Sequence, residues 1–160
     1  MISFNELGHI TPSGVHILTI EEFEQTFANL ENLLCRRSLF NSYQFYLYEL
    51  RKIITEPFFQ LIGGSYVTRK NWPQDIDLVT FVPYTFEQNH KMKQQLRLFF
   101  ERYEFSQQKS GLHTFFSLIP NDQNPERVKF EAHYQYWIDT FSSTPTQNSD
   151  PKGIIKIQFL

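Results

Sequence analysis

Leu61-Ile62-Gly63-Gly64-Ser65-Tyr66-Val67-Thr68-Arg69-Lys70-Asn71-Trp72-Pro73-Gln74-Asp75-Ile76-Asp77-Leu78-Val79 is the stretch on which the reading of this chain turns. It closes one apolar run, Phe58 to Ile62, with two glycines and a serine. After a nine-residue spacer, Tyr66 to Gln74, it opens a second apolar run, Ile76 to Val82, with a pair of acids separated by one residue. Short apolar runs bounded by Gly and Pro are the pattern of buried strands. In a strand, alternate residues share a face, so Asp75 and Asp77 are expected to aim at one spot while Ile76 points into the core. Two carboxylates held that close repel unless a cation lies between them. Hard cations such as Mg2+ take oxygen ligands, typically one or two carboxylates plus substrate phosphates. Gly63 and Gly64 permit a sharp turn and close approach of a ligand to the backbone. The amides of Gly64 and Ser65 and the Ser65 hydroxyl can then donate to a phosphate. The spacing therefore points to a metal–triphosphate site, with Asp77 inside an apolar strand where an unpaired charge is costly.

Working outward, Thr19-Ile20-Glu21-Glu22 reads as a capping box. It opens an amphipathic helix with Phe23, Phe27, Leu30 and Leu34 on one side. A second helix is expected from Ser38 to Thr55, with Phe40, Tyr43, Leu47, Leu50 and Ile54 as its stripe and Pro57 after its end. A third is expected from Phe86 to Tyr103. Leu112 to Ile119 reads as a strand. Asn124-Pro125-Glu126 starts a last helix carrying the core stripe Phe130, Tyr134, Trp137 and Phe141. Ser142 to Lys152 reads as a loop, and Ile154 to Leu160 as a final strand. These elements make one α+β domain over residues 1–160, with a mixed sheet containing 58–62, 76–82 and 113–119 and helices mainly on one face.

Composition limits the function. The 160 residues carry 15 Lys plus Arg against 17 Asp plus Glu, a net charge near −2, which disfavours a nucleic-acid-wrapping role. Aromatic residues at 17% exclude a disordered chain. No apolar run reaches the roughly 18 residues of a membrane span, and Met1 to Ile10 lacks the order of a secretory leader. Cys35 is the single cysteine, so no internal disulfide forms and a reducing compartment, the cytoplasm, is expected. Arg36 and Arg37 flank it. Arg69 and Lys70 lie beside the expected phosphate site, and the five histidines form no metal-ligand spacing.

The stretch from Ile62 to Asp77 resembles the signature of the nucleotidyltransferase superfamily, the fold shared with DNA polymerase beta: Gly, Gly or Ser, a spacer, then Asp-apolar-Asp. The chain also resembles small stand-alone bacterial proteins of that superfamily in Pro12-Ser13-Gly14-Val15-His16, in Gly64 to Thr68 and in Pro151 to Ile157. The resemblance implies transfer of a nucleoside monophosphate, AMP above all, from ATP or another triphosphate to a protein or small acceptor. It implies that Gly64 and Ser65 hold the triphosphate and that Asp75 and Asp77 bind Mg2+ (or Mn2+). The family pattern has a third acid on a later strand, and here His113 or Thr114 falls at that place. Asp122 and Glu131 are the nearest acids in sequence. That departure opens an alternative: a catalytically impaired nucleotide-binding or partner-binding module, for example one member of a toxin–antitoxin type pair.

Overall fold

The computed structural model describes residues 2–30, 33–83, 89–144 and 151–160, with side chains excepted at 89–90 and 104–109. The fold is α+β. A short antiparallel pair, β1 (Ser3–Phe4) and β2 (Ile10–Thr11), precedes a five-stranded mixed sheet of β3 (Gly14–Leu18), β4 (Phe58–Gly63), β5 (Ile76–Pro83), β6 (Leu112–Ile119) and β7 (Gly153–Phe159). The order across the sheet is β3-β7-β4-β5-β6. β4 runs antiparallel to both its neighbours, β5 and β7, while β5–β6 and β3–β7 are parallel. The two strands that flank the glycines are thus adjacent, as the site requires.

The helices are α1 (Ile20–Phe23), a π-helical turn (Glu24–Ala28), α2 (Leu33–Arg51), α3 (Asn89–Ser110) and α4 (Arg127–Ser142). The capping box is formed: Glu22 N–H donates to Thr19 Oγ1 at 3.1 Å and Thr19 N–H to Glu22 Oε2 at 2.8 Å. The first helix is shorter than its periodicity suggests. It leaves helical geometry at Asn29, and Leu34, expected on its buried side, is 86% exposed in the first turn of α2. The break lets the two helices fold back on each other, so that the Phe23 ring lies 6.2 Å from Phe40 and 5.9 Å from Tyr43. One unbroken helix would hold those rings apart along its axis. α2 starts five residues before Ser38, and Phe40, Tyr43, Leu47, Leu50 and Ile54 are all buried. Phe86, placed in the third helix by its sequence, lies outside the described residues.

Strand alternation sorts the core into two clusters. Ile62, Leu78, Val82, Ile155 and Ile157 pack against α1, α2 and α3. Leu61, Val79, Phe81 and Ile154 pack against α4, through Trp137, Phe141, Phe130 and Tyr134. Among the described residues, three helices therefore share one face and α4 covers the other. Asp77 falls on the α4 face, because it alternates with Ile76 and Leu78 and is in phase with Val79.

The three-helix face also buries a polar chain. Tyr43 Oη donates to Gln60 Oε1 at 2.6 Å, Gln60 Nε2 donates to Thr80 Oγ1 at 2.9 Å, and Tyr46 Oη lies 3.1 Å from Thr80 Oγ1. Burial pushes both phenols above their ordinary range, so both hydroxyls stay protonated. Gln60→Leu leaves the Tyr43 and Thr80 hydroxyls short of partners. It is expected to cost about 2 kcal/mol or more in urea denaturation. Adding Tyr43→Phe to that variant should cost less than Tyr43→Phe does alone, because the phenol it removes is already unsatisfied.

Candidate functional site

Gly63 ends β4 directly opposite Asp77 in the antiparallel register. A Cβ at Gly63 would overlap the Phe141 ring, so the missing side chain is what lets α4 close over this end of the sheet. Gly64 follows with φ +70°, a left-handed conformation that favours glycine. A Cβ there would overlap Asp77 Oδ2. The Asp77 carboxylate is therefore seated against the Gly64 backbone, at the turn expected to receive phosphate. Ser65 continues that turn, its carbonyl accepting from the Thr68 amide and hydroxyl.

Asp75 lies one residue before β5, whose entry is fixed by the Ile76 amide donating to Gly111 O at 2.9 Å. Burial first, and the Asp77 charge second, push the Asp75 carboxyl up from the ordinary carboxylate range, while His113 and Lys70 pull it back. Asp75, Asp77, His113 and Lys70 thus share one electrostatic neighbourhood.

Gly64→Ala is expected to be costly here. It forces an alanine into a left-handed conformation, about 1–2 kcal/mol by itself, and drives its methyl into the Asp77 carboxylate. The same change at Gly14, also at positive φ but with open space around it, supplies the control. Melting curves should show a larger loss at Gly64 than at Gly14.

Of the two residues at the third-acid position, only His113 faces this site. His113 pairs in register with Asp77, and its Nδ1 lies 3.1 Å from Asp77 Oδ1. Thr114 pairs with Leu78 and so belongs to the opposite face of the sheet. Among the described residues its buried hydroxyl has no hydrogen-bond partner. Asp122 and Glu131 are elsewhere: both are paired with Arg127, at 3.1 and 3.3 Å. Asp122 follows Ile119 at the far end of β6, and six residues of strand separate Ile119 from His113, about 20 Å.

Among the described residues no group of three or more His, Cys, Asp or Glu is arranged to hold a metal ion. Asp77, Gly64 and His113 open onto a cleft of about 510 Å³ whose other wall is the C-terminal half of α4. Asp77 lines this cleft, whereas Asp75 and Ser65 do not, and two larger clefts, about 580 Å³ beside Lys129 and about 640 Å³ beside Phe45, are lined by neither acid.

A family profile described as a family of unknown function, DUF6932, matches residues 2–158. The chain belongs to this family. No curated protein and no solved structure matches it. No helix among the described residues is long and apolar enough to cross a membrane.

Two further residues shape the site in this DUF6932 chain, and neither stands out in the sequence. Lys152, just before β7, donates from Nζ to Gly64 O at 3.3 Å. Burial lowers its ammonium pKa, and the Asp77 charge opposes that shift, so a partly buried cation faces the carboxylate. The available signal is the Lys152-Gly153 step at the head of β7: antiparallel pairing of β7 with β4 brings that head beside the end of β4. The second is Arg36, fully buried. Its guanidinium donates to the carbonyls of Phe27, Tyr66, Thr68 and Lys70, at 3.3, 2.7, 2.7 and 2.7 Å. It thereby fastens the loop that follows Gly64 and Ser65. Tyr66 Oη returns a hydrogen bond to Arg36 O at 3.1 Å. Arg69 turns away from the acids, its guanidinium 5.4 Å from the Phe4 ring centroid. Cys35 Sγ donates to Pro73 O at 3.2 Å, a contact within the same loop system.

Proposed function

We propose that this protein binds a nucleoside triphosphate, ATP foremost, at Gly64, Ser65, Asp75 and Asp77 and transfers its nucleoside monophosphate to a protein or small acceptor in the cytoplasm. The observation that carries this reading is the Asp77 carboxylate seated against the left-handed Gly64, with the Asp75 charge felt beside it. Asp75 and Asp77 would hold Mg2+ or Mn2+, which supplies neutralisation of phosphate charge when bound. The turn at Gly64 and Ser65 offers backbone donors to the phosphates, and Lys152 adds a positive charge on the same side. In the transfer, an acceptor oxygen bonds to the α-phosphorus, the α–β bridging P–O bond breaks, and pyrophosphate leaves. The acceptor's proton passes to solvent.

A second reading rests on His113. An imidazole standing where the superfamily pattern carries a carboxylate favours a module that binds nucleotide, or a partner protein, without efficient transfer. Losing one ligand of a two-metal site harms the chemical step more than binding. One experiment separates the readings. The protein is incubated with each α-labelled NTP, Mg2+ or Mn2+, and host lysate. A labelled covalent product supports transfer. Saturable metal-dependent binding without label supports the module. His113→Asp should then raise a weak transfer rate. Absence of metal-dependent nucleotide binding overturns transfer and nucleotide binding alike and leaves only the partner-binding form of the second reading.

A further inference from the structure

We propose that Tyr136 is a stacking platform for the nucleobase of the bound nucleotide, a contact that any flat aromatic base can make and that does not itself set the preference for ATP. This rests on the proposed nucleotide site and names which part of the cleft takes the base.

Tyr136 lies on the last turns of α4 and lines the same cleft as Gly64, Asp77, His113 and Lys152. A cleft of about 510 Å³ is within the roughly 300–1,000 Å³ of small-molecule sites. Asp77, Gly64, His113 and Lys152 occupy its sheet side, which leaves the α4 side for the uncharged part of a ligand. That side is aromatic: Tyr136, Trp137 and Phe141 contribute to it, across the cleft from Phe115 on β6. Trp137 and Phe141 are buried in the core, whereas Tyr136 is 57% exposed. It is the ring of this wall with a surface to offer.

The ring is also held in place. The His133 ring lies nearly parallel to it, at 6.2 Å and 17°, and Trp137 meets it edge-on at 5.5 Å and 71°. His133 is itself fixed. Trp137 Nε1 donates to His133 Nε2 at 3.0 Å, so that nitrogen is the acceptor and the ring proton sits on Nδ1. Nδ1 lies 3.2 Å from Ser117 Oγ and donates to it. A doubly anchored imidazole thus props the tyrosine, which lines the cleft and stays exposed. An aromatic ring ordered before binding loses little entropy when a base stacks on it. Stacking is sequence-tolerant, because every base has a π-face.

The test compares Mg-ATP, the other three Mg-NTPs and Mg-tripolyphosphate, which has the phosphates without a base, on wild type, Tyr136→Ala and Tyr136→Phe. Alanine substitution at a base-stacking ring typically costs about 1–3 kcal/mol. Tyr136→Ala should therefore weaken ATP roughly 5- to 150-fold, leave tripolyphosphate affinity unchanged, and lower all four NTPs together. Tyr136→Phe should bind ATP as wild type does. Melting curves confirm that the variants fold, and the unchanged tripolyphosphate affinity shows that the phosphate side survives. Equal ATP affinity in wild type and Tyr136→Ala overturns the platform and leaves the proposed function standing. Parallel loss of tripolyphosphate and ATP also overturns it, since the ring would then act through the fold. Failure of wild type to bind either compound overturns the proposed function, and the platform with it.

Discussion

Arg36→Met is expected to destabilise the protein by about 4 kcal/mol or more, because hydrogen bonds to a charged group contribute roughly 1.5–3 kcal/mol each. Methionine matches the aliphatic length of arginine but leaves the carbonyls of Phe27, Tyr66, Thr68 and Lys70 without their guanidinium donor. Buried carbonyls that lose a partner keep their full desolvation cost. The damage should reach the site, since three of those carbonyls belong to the loop after Gly64 and Ser65. Arg36→Lys should recover only part of the loss: an ammonium is a point donor and cannot present a planar fork to several carbonyls. Urea denaturation of the three proteins measures this. A loss below about 1.5 kcal/mol for Arg36→Met, no more than one such bond, would mean that the loop holds its shape without the guanidinium.

Much of the fold is legible in the sequence because local chemistry and burial agree. β6 runs over the residues expected for it, Leu112–Ile119, because its apolar run ends in Pro120. The capping box at Thr19 forms because Glu22 sits at the one spacing that closes it. The length of the first helix departs from its pattern for a physical reason. Phe23, Phe27, Leu30 and Leu34 keep helical spacing, but periodicity records which residues are apolar and not whether the axis bends. The bend at Asn29 is set by tertiary packing of Phe23 on Phe40 and Tyr43. The 3–4 and 10–11 strand pair leaves no mark in the sequence, because two-residue strands carry no period at all.

In the site, spacing locates the sequence-local parts and misses those that come from elsewhere in the chain. Gly64 and Asp77 are legible: a glycine pair ending one strand and an acid inside the next can meet only if the strands are antiparallel neighbours, and they are. His113 is legible as a position, and the parallel register of β5 and β6 decides between it and Thr114. Arg36 is not legible, and Lys152 becomes so only once the pairing of β7 with β4 is known. Each lies far from the motif in sequence, and each acts on backbone carbonyls, which leave no trace in residue type. Tyr136 gives no signal either, because the stripe Phe130, Tyr134, Trp137 and Phe141 marks the buried side of α4, and Tyr136 belongs to the side that solvent reaches.

Asp75→Asn and Asp77→Asn are expected to act alike on the ligand and oppositely on stability. Either change removes half the carboxylate charge offered to a cation. Metal-dependent nucleotide affinity should fall about tenfold or more in each, as when a charged ligand is lost. Without metal, the two part company. The Asp75 carboxyl is raised by burial and by Asp77, so its ionised form is disfavoured in the folded state. A raised carboxyl pKa means that the folded protein holds a proton more tightly than the unfolded chain. Stability then falls as pH rises from the ordinary value of 3.8 through the raised one, and the penalty is complete at neutral pH. Asp75→Asn abolishes that penalty, so its melting temperature at pH 7 should exceed wild type and its stability should vary less with pH in the acid range. Asp77 instead faces the partly buried Lys152 ammonium and lies 3.1 Å from His113 Nδ1. Asp77→Asn strips the counter-charge from Lys152, and its melting temperature at pH 7 should drop. Nucleotide titrations with and without Mg2+, beside melting curves from pH 4 to pH 8, read both effects. If both variants bind nucleotide as wild type does, the acids are structural. If both melt higher than wild type, simple repulsion between them governs the site and the Lys152–Asp77 attraction contributes nothing.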